Sequence, residues 1–413
     1  VKMMVENVVC AGCSLLCDDV DVEVEGSSII KTWGTCSHGD ARLRGLQLNR
    51  LDKALVNGDR VDVDKAIDEL AEMLKSAKRP LIYGGECSSN AAVELALRIA
   101  EKLGAYYDAP SSICRVLIPL QEELGVRGSR LEEVLDEADF VIYWGVSVAD
   151  THLRHASRYA VMPRGSVAKM GRESRIVASI DVRESMSMRI AQHGVVIDLC
   201  SDAEVARAIA DLIDGRAPSL RADVARQLAF LVSDVKRASF VAMFVGSGVL
   251  RCGKGEEGVK AILKLAEKLG ARCKCSVHPM AENVNSYGQA RAVWRALKAC
   301  SPYDFKEKRP AEPIHALASR EAVDFVLAVN SDVLAQIPLE ASKKLRGKVA
   351  CTTELKSVTQ AHSRVAIPVK VLGVEAGGTV TRTDGVDVEL RPFVVNREVL
   401  SEEEVLSRLL ALI

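Results

Sequence analysis

Four cysteines crowd the first tenth of the chain: Cys10, Cys13 and Cys17 form a C-x2-C-x3-C triplet, and Cys36 follows after eighteen intervening residues. Four thiolates gathered on a short loop can hold a structural zinc ion or an iron–sulfur cluster. Zinc usually takes paired C-x2-C knuckles, whereas a triplet can wrap one face of a cubane while a fourth thiolate closes it from another segment. The spacing therefore favours [4Fe–4S], with zinc as the alternative. Asp18 and Asp19, directly after Cys17, either polarise this loop or form a solvated turn.

A fifth cysteine has a different setting. In PSSICRVLIPLQEELG, Cys114 opens an expected helix that ends near Gly125. Unpaired N–H groups at a helix start lower a thiol pKa, and Arg115 adds positive charge if it points inward. Such a thiolate is a nucleophile or a metal ligand, although free cysteine is also among the most buried residue types. Cys87, Cys200, Cys252, Cys273, Cys275, Cys300 and Cys351 show no comparable arrangement.

The elements that must position these thiols can be read from periodicity. Val20, Val22 and Val24 alternate with charged residues before Gly26-Ser27-Ser28, a hairpin pattern that returns Cys36 to the Cys10–Cys17 segment. From about residue 62 helical and apolar-strand patterns alternate. Helices are expected over 64–78, over 90–103 with Gly104 as a left-handed cap, over 221–237, over 256–269 and over 402–412. Three apolar runs, at 138–147, 238–247 and 323–332, end at Gly or Asn followed by Ser. They suit strands of a parallel sheet covered on both faces, with ligand-accessible carboxyl ends. Asp384-Gly385 marks a late hairpin.

Composition narrows the partners. The chain has 413 residues, 48% of them hydrophobic, and 55 basic residues against 56 acidic ones. That describes a packed globular protein, of the α/β class by the alternation above, and gives no support for a nucleic-acid binder. No apolar run is long enough for a membrane span, and the first residues lack the order of a signal peptide, so the cytoplasm is expected.

In order along the chain, VVCAGCSLLCDDV, TCSHG, PLIYGG, SSICRVLIPLQEELG, YWGVSVADTHLRHASRY, SIDVRES and GVEAGGTVTRTDGV resemble the B subunit of formylmethanofuran dehydrogenase. That family belongs to the molybdopterin oxidoreductases, and its members are found in methanogenic and related archaea. The resemblance implies a small iron–sulfur β domain at 1–55 and Rossmann-like α/β domains at 56–235 and 236–413, their layers interleaved, without a C-terminal β-barrel domain. It implies that Cys10, Cys13, Cys17 and Cys36 hold a [4Fe–4S] cluster. Cys114 would then be the ligand of tungsten or molybdenum carried by two molybdopterins, expected as guanine dinucleotides.

The implied reaction is reversible two-electron reduction of CO2 to formate, which a partner condenses with methanofuran. Gly145, Ser147, Gly246 and Ser247 would lie near pterin phosphates, and Arg154, His155, Arg158, Asp181 and Arg183 would add contacts. The implied partners are an amidohydrolase-type subunit, a small pterin-capping β-barrel subunit, and a polyferredoxin or other iron–sulfur donor. Three departures stand out. Arg115 replaces the family's His after the metal-ligand Cys, and Val146-Ser147 alters its WGCNP stretch. Pro279-Met280-Ala281-Glu282-Asn283-Val284 lacks the Arg of its P-M-R-G-H-Y-N-V stretch. Arg115 is the expected replacement cation. The departures also allow a paralogue with another small substrate, and the related methylotroph complex allows a non-catalytic scaffold, against which the five cysteines argue.

Overall fold

The computed structural model describes residues 2–46 and 48–413. It contains two compact units, one formed by Val1–Ser111, Asn283–Arg382 and Asp387–Ile413, the other by Ser112–Glu282 and Thr383–Val386. Strand Pro80–Gly84 pairs with Phe325–Val329, a long-range neighbour that local periodicity does not encode.

In the first unit, strand Val20–Glu25 pairs antiparallel with Ser28–Trp33 around Gly26 at φ 64°, as the alternation predicts. Val20, Val22 and Val24 are buried, each stabilising the layer by roughly 1.5–3 kcal/mol. Strand Lys2–Val8 adds a third member. Its Met3 and Met4 are both exposed, so its sequence carries no inward-outward alternation to reveal it.

The unit's nine-stranded sheet has a parallel centre. Its order runs Tyr106–Asp108, Pro80–Gly84, Phe325–Val329, Val349–Thr353, Ser363–Pro368, with antiparallel pairs at both edges. Successive strands run outward in both directions from the Pro80–Gly84/Phe325–Val329 pair, which makes that pair a topological switch point. Two apolar layers cover the faces. Helix Asn90–Leu103 buries Val93, Ala96, Leu97 and Ala100, one stripe at helical spacing. Ser89 caps its start, and Gly104 ends it at φ 59°.

The second unit holds an all-parallel sheet ordered His193–Val196, Ile176–Asp181, Phe140–Trp144, Phe240–Val245, Lys274–Pro279. Every residue of Phe140–Trp144 and Phe240–Val245 is buried, the reason these runs are apolar without alternation. The switch point lies between these two strands. Among the described residues, no helix is long and apolar enough to cross a membrane.

Candidate functional site

The thiol quartet lies in the first unit. The loop after strand Lys2–Val8 closes on itself: the Cys10 amide donates to the Cys17 carbonyl (2.8 Å) and the Leu16 amide to the Cys13 carbonyl (3.3 Å). Leu16 adopts φ 46°, a left-handed turn that folds the triplet back. Cys36 arrives from the hairpin and caps helix Ser37–Gly45, its carbonyl accepting from Asp40 N at 2.9 Å.

Cys10 and Cys17 are buried, and Cys13 and Cys36 half-buried. The four are close enough to act on one another: Cys17 and Cys36 raise the Cys10 thiol, and Cys17, Cys10 and Cys36 raise that of Cys13. Burial is the larger cause and pushes them to about 11 and about 12. Two glycines line the Cys10 sulfur. A Cβ on Gly39 would stand 2.9 Å from Cys10 Sγ, and one on Gly12 3.3 Å from it. Asp18 and Asp19 are exposed. Among the described residues, no three His, Cys, Asp or Glu side chains converge as ligands of one metal ion.

Cys114 lies in the second unit, at the first position of helix Cys114–Leu124 and fully buried. Its amide donates to Ser112 Oγ at 3.2 Å, and Ser112 Oγ in turn donates to Glu282 Oε2 at 2.6 Å. The Ile113 amide donates to Glu282 Oε1 at 3.1 Å, and the Ser247 hydroxyl also bonds this carboxyl. The expected low thiol pKa is reversed. Burial, and then the charge of Glu282, raise the Cys114 thiol well above its ordinary value, outweighing the helix start. Arg115 is half-buried. Burial also raises the Glu282 carboxyl despite the bonds from Ser112, Ile113 and Ser247. In the sequence Glu282 stands out only as part of the stretch that lacks the Arg, and nothing in its local pattern shows that it reaches the turn before Cys114.

Gly145 and Gly246 terminate the two strands at the switch point. The Gly246 amide donates to the Trp144 carbonyl and the Gly248 amide to the Gly145 carbonyl, both at 2.9 Å. Gly145 sits at φ 61°, and a Cβ there would meet Val249 N at 2.9 Å. One on Gly246 would meet Val146 Cβ at 2.5 Å. Ser147 Oγ is buried without a hydrogen-bond partner. Asp181 ends the adjacent strand, its carboxyl raised by burial and its Oδ1 accepting from Val182 N, while Arg183 is exposed. Gly145, Ser147, Asp181, Gly246 and Ser247 therefore share the carboxyl ends of neighbouring strands.

The arginine-histidine segment divides. Arg154 and Arg158 are half-buried. His155 is 0% exposed, hydrogen-bonded through Nδ1 to Tyr143 OH (3.1 Å), with its ring 4.4 Å from that of Phe244. Burial lowers its pKa far below the ordinary value. Its other ring nitrogen, Nε2, is buried without a hydrogen-bond partner. Cys200 and Cys252, which no sequence pattern pairs, form a disulfide with Cα atoms 5.9 Å apart.

No family model matches the chain. Two curated relatives do, each named as the B subunit of tungsten-containing formylmethanofuran dehydrogenase 2. The protein from Methanocaldococcus jannaschii is 29% identical and that from Methanococcus maripaludis 28%, each alignment covering 98% of this chain and 98% of the relative. Among solved structures, the formyltransferase/hydrolase complex of Methylorubrum extorquens with methylofuran aligns at TM-score 0.67 and 18% identity, over 87% of this chain and 98% of that one. Acetylene hydratase from Pelobacter acetylenicus aligns at TM-score 0.69 and 12% identity, over 99% of this chain and 69% of that one. These two likenesses concern the fold. Along 98% of its length, the chain is a homologue of an enzyme component, the B subunit of formylmethanofuran dehydrogenase.

Proposed function

We propose that the chain is the metal-bearing subunit of a formylmethanofuran dehydrogenase-type complex that reversibly reduces CO2, with two electrons and one proton, to formate. The carrying observation is the fully buried Cys114 at a helix start, its amide bonded to Ser112 Oγ, which in turn donates to Glu282. Cys114 would hold tungsten or molybdenum, as a soft thiolate suits a metal surrounded by dithiolene sulfur. When bound with two pterins, that metal supplies the two-electron redox chemistry.

The protein residues set its surroundings. Gly145 and Gly246 let the two strand-end loops pack closely against each other at the switch point, and Ser147 Oγ offers a buried, unused polar atom there. Burial raises the Glu282 carboxyl, while the bonds from Ser112 and Ile113 favour its charged form and fix it beside the Cys114 turn. Cys10, Cys13, Cys17 and Cys36 would hold a [4Fe–4S] cluster. The glycine-lined Cys10 sulfur leaves room for such a group, in which each iron takes its own thiolate. Both relatives are named as one subunit of a larger enzyme, which supports a multisubunit setting. For this chain we propose an iron–sulfur donor, a pterin-capping subunit and an amidohydrolase-type subunit as its partners.

Metal analysis of the purified complex tests this reading. Tungsten or molybdenum near one per chain, lost in Cys114→Ser while iron remains, is expected. A metal content unchanged by Cys114→Ser would sink it. The changes at Arg115 and Ala281 favour a second reading, a paralogue acting on another small substrate; metal-loaded complex without CO2 or formate turnover would select that one.

A further inference from the structure

In the second unit, the loop over 161–175 lies at the end of the parallel sheet opposite the candidate site. Its last residue, Arg175, directly precedes strand Ile176–Asp181, and the Ile176 amide donates to the Asp139 carbonyl just before strand Phe140–Trp144. Gly145 and Gly246 follow the other ends of their strands. A five-residue strand at about 3.3 Å per residue puts roughly 16 Å between the two ends.

The loop is held in one shape from within. Ser166 N and Oγ donate to the two carboxylate oxygens of Asp136, both at 2.9 Å, and the Val167 amide donates to the Asp136 carbonyl at 3.2 Å. The Gly165 and Gly171 amides both donate to the Ala168 carbonyl, at 3.1 and 2.9 Å, and Ala168 is buried. Gly171 sits at φ 62°, and a Cβ there would run into the Met162 carbonyl, so the two limbs of the loop lie against each other.

This scaffold turns large apolar side chains outward. Met162, Val167 and Met170 are 45%, 46% and 62% exposed. Arg164 and Lys169 stand between them, both exposed, and among the described residues neither side chain has an ion pair or a hydrogen bond. Glu173 is the loop's single acidic residue. The carboxylates of the neighbouring helix Leu131–Glu137 are engaged elsewhere: Glu132 with Arg130, Asp136 with Ser166, and Glu133 and Glu137 with Lys274. Three apolar side chains grouped on one short loop are costly to leave in water, and a loop already fixed in shape loses little entropy on docking.

We propose that the loop over 161–175 is a docking surface for another protein subunit, one whose own surface sets carboxylates around an apolar centre. The inference rests on the multisubunit reading above. Arg164 and Lys169 meet the carboxylates, and Met162, Val167 and Met170 meet the apolar centre, the mix of Met and cationic side chains that suits a protein interface. Two free cations are few for a nucleic-acid backbone, which also has no use for the apolar side chains. A partner seated at the strand starts leaves the strand ends open to a large ligand.

Carbodiimide coupling of the purified complex, which joins an amine directly to a carboxylate, tests the idea by mass spectrometry. Lys169 should couple to an Asp or Glu of a different polypeptide, and should be spared when the intact complex is acetylated. Arg164→Glu with Lys169→Glu should lower the share of that polypeptide severalfold in native mass spectrometry. The charge-preserving pair Arg164→Lys with Lys169→Arg should retain it. A complex of unchanged composition in which Lys169 is fully acetylated overturns the docking surface alone, as does coupling of Lys169 to a second copy of this chain or protection of Lys169 that nuclease removes. A chain that purifies by itself overturns the multisubunit reading and the docking surface with it.

Discussion

Ser112 Oγ donates a 2.6 Å hydrogen bond to Glu282 Oε2, joining the turn before Cys114 to the end of the Lys274–Pro279 strand region. The same carboxyl takes the Ile113 amide through its other oxygen. Truncation in Glu282→Ala leaves both donors without this acceptor in a buried place and should cost about 2–4 kcal/mol, measured by urea unfolding. Glu282→Gln keeps an acceptor for one of them and should cost less than half as much. Equal costs for the two variants would show that the carboxyl does not anchor the turn.

Gly39→Ala should impair cluster loading. The added Cβ would sit 2.9 Å from Cys10 Sγ, with Thr35 Cβ and Cγ2 also near at 3.5 Å, leaving the sulfur little freedom to retreat. Gly45→Ala, on the same helix but with nothing within 4 Å, is the matched control. We expect iron content and visible absorbance to drop severalfold in the first and stay at wild-type level in the second.

Two buried carboxyls of the first unit, Glu86 after strand Pro80–Gly84 and Glu402 at the start of helix Glu402–Leu412, make stability depend on pH, with a definite sign. Their ordinary value is 4.5 and burial raises each to about 7, so between these limits the folded chain binds more protons than the unfolded one. Stability from this source is therefore fully present below about 4.5 and is lost as pH rises through about 7. Each group contributes a loss of roughly 3 kcal/mol at most, from about 1.4 kcal/mol per pH unit. Thermal melts from pH 5 to 8 should fall less steeply for Glu402→Gln than for wild type; a parallel pair of curves would refute the assignment.

What the residues announce on their own is local. The stripe of Val93, Ala96, Leu97 and Ala100, closed by Gly104, identifies its helix because a helix face and its cap lie within fifteen residues. The apolar runs before Gly145 and Gly246 announce strands for the same reason. Helices Asp202–Ile213 and Ser286–Leu297 are absent from the expected set, although both bury one face. Nonlocal relations are harder. Nothing near residue 282 shows that its carboxyl meets Ser112, 170 residues away, and Cys200 gives no hint of Cys252. Burial decides the thiol chemistry as well: the helix start argues for a thiolate at Cys114, but its depth and Glu282 argue the other way.

Arg175 supports the segment that carries Arg154 and Arg158. Its guanidinium is buried, and donates from Nε to the Ala138 carbonyl at 2.8 Å, from Nη1 to the carbonyls of Val161 (3.3 Å) and Pro163, and from Nη2 to that of Leu135. No carboxylate takes part in these bonds. Four carbonyls from two chain stretches replace the water lost by one cation, a match to the fixed fork of arginine that an ammonium cannot reproduce. Arg175→Lys should therefore destabilise by about 2–4 kcal/mol, since it keeps the buried charge but loses most of the acceptors. Arg175→Met removes the charge along with the donors and should cost a similar amount through the unpaired carbonyls. Both variants should lower protection of the amides over 156–163 in hydrogen exchange before they affect strand Phe240–Val245. Loss of protection in both regions together would mean that Arg175 acts on the whole sheet rather than on this segment.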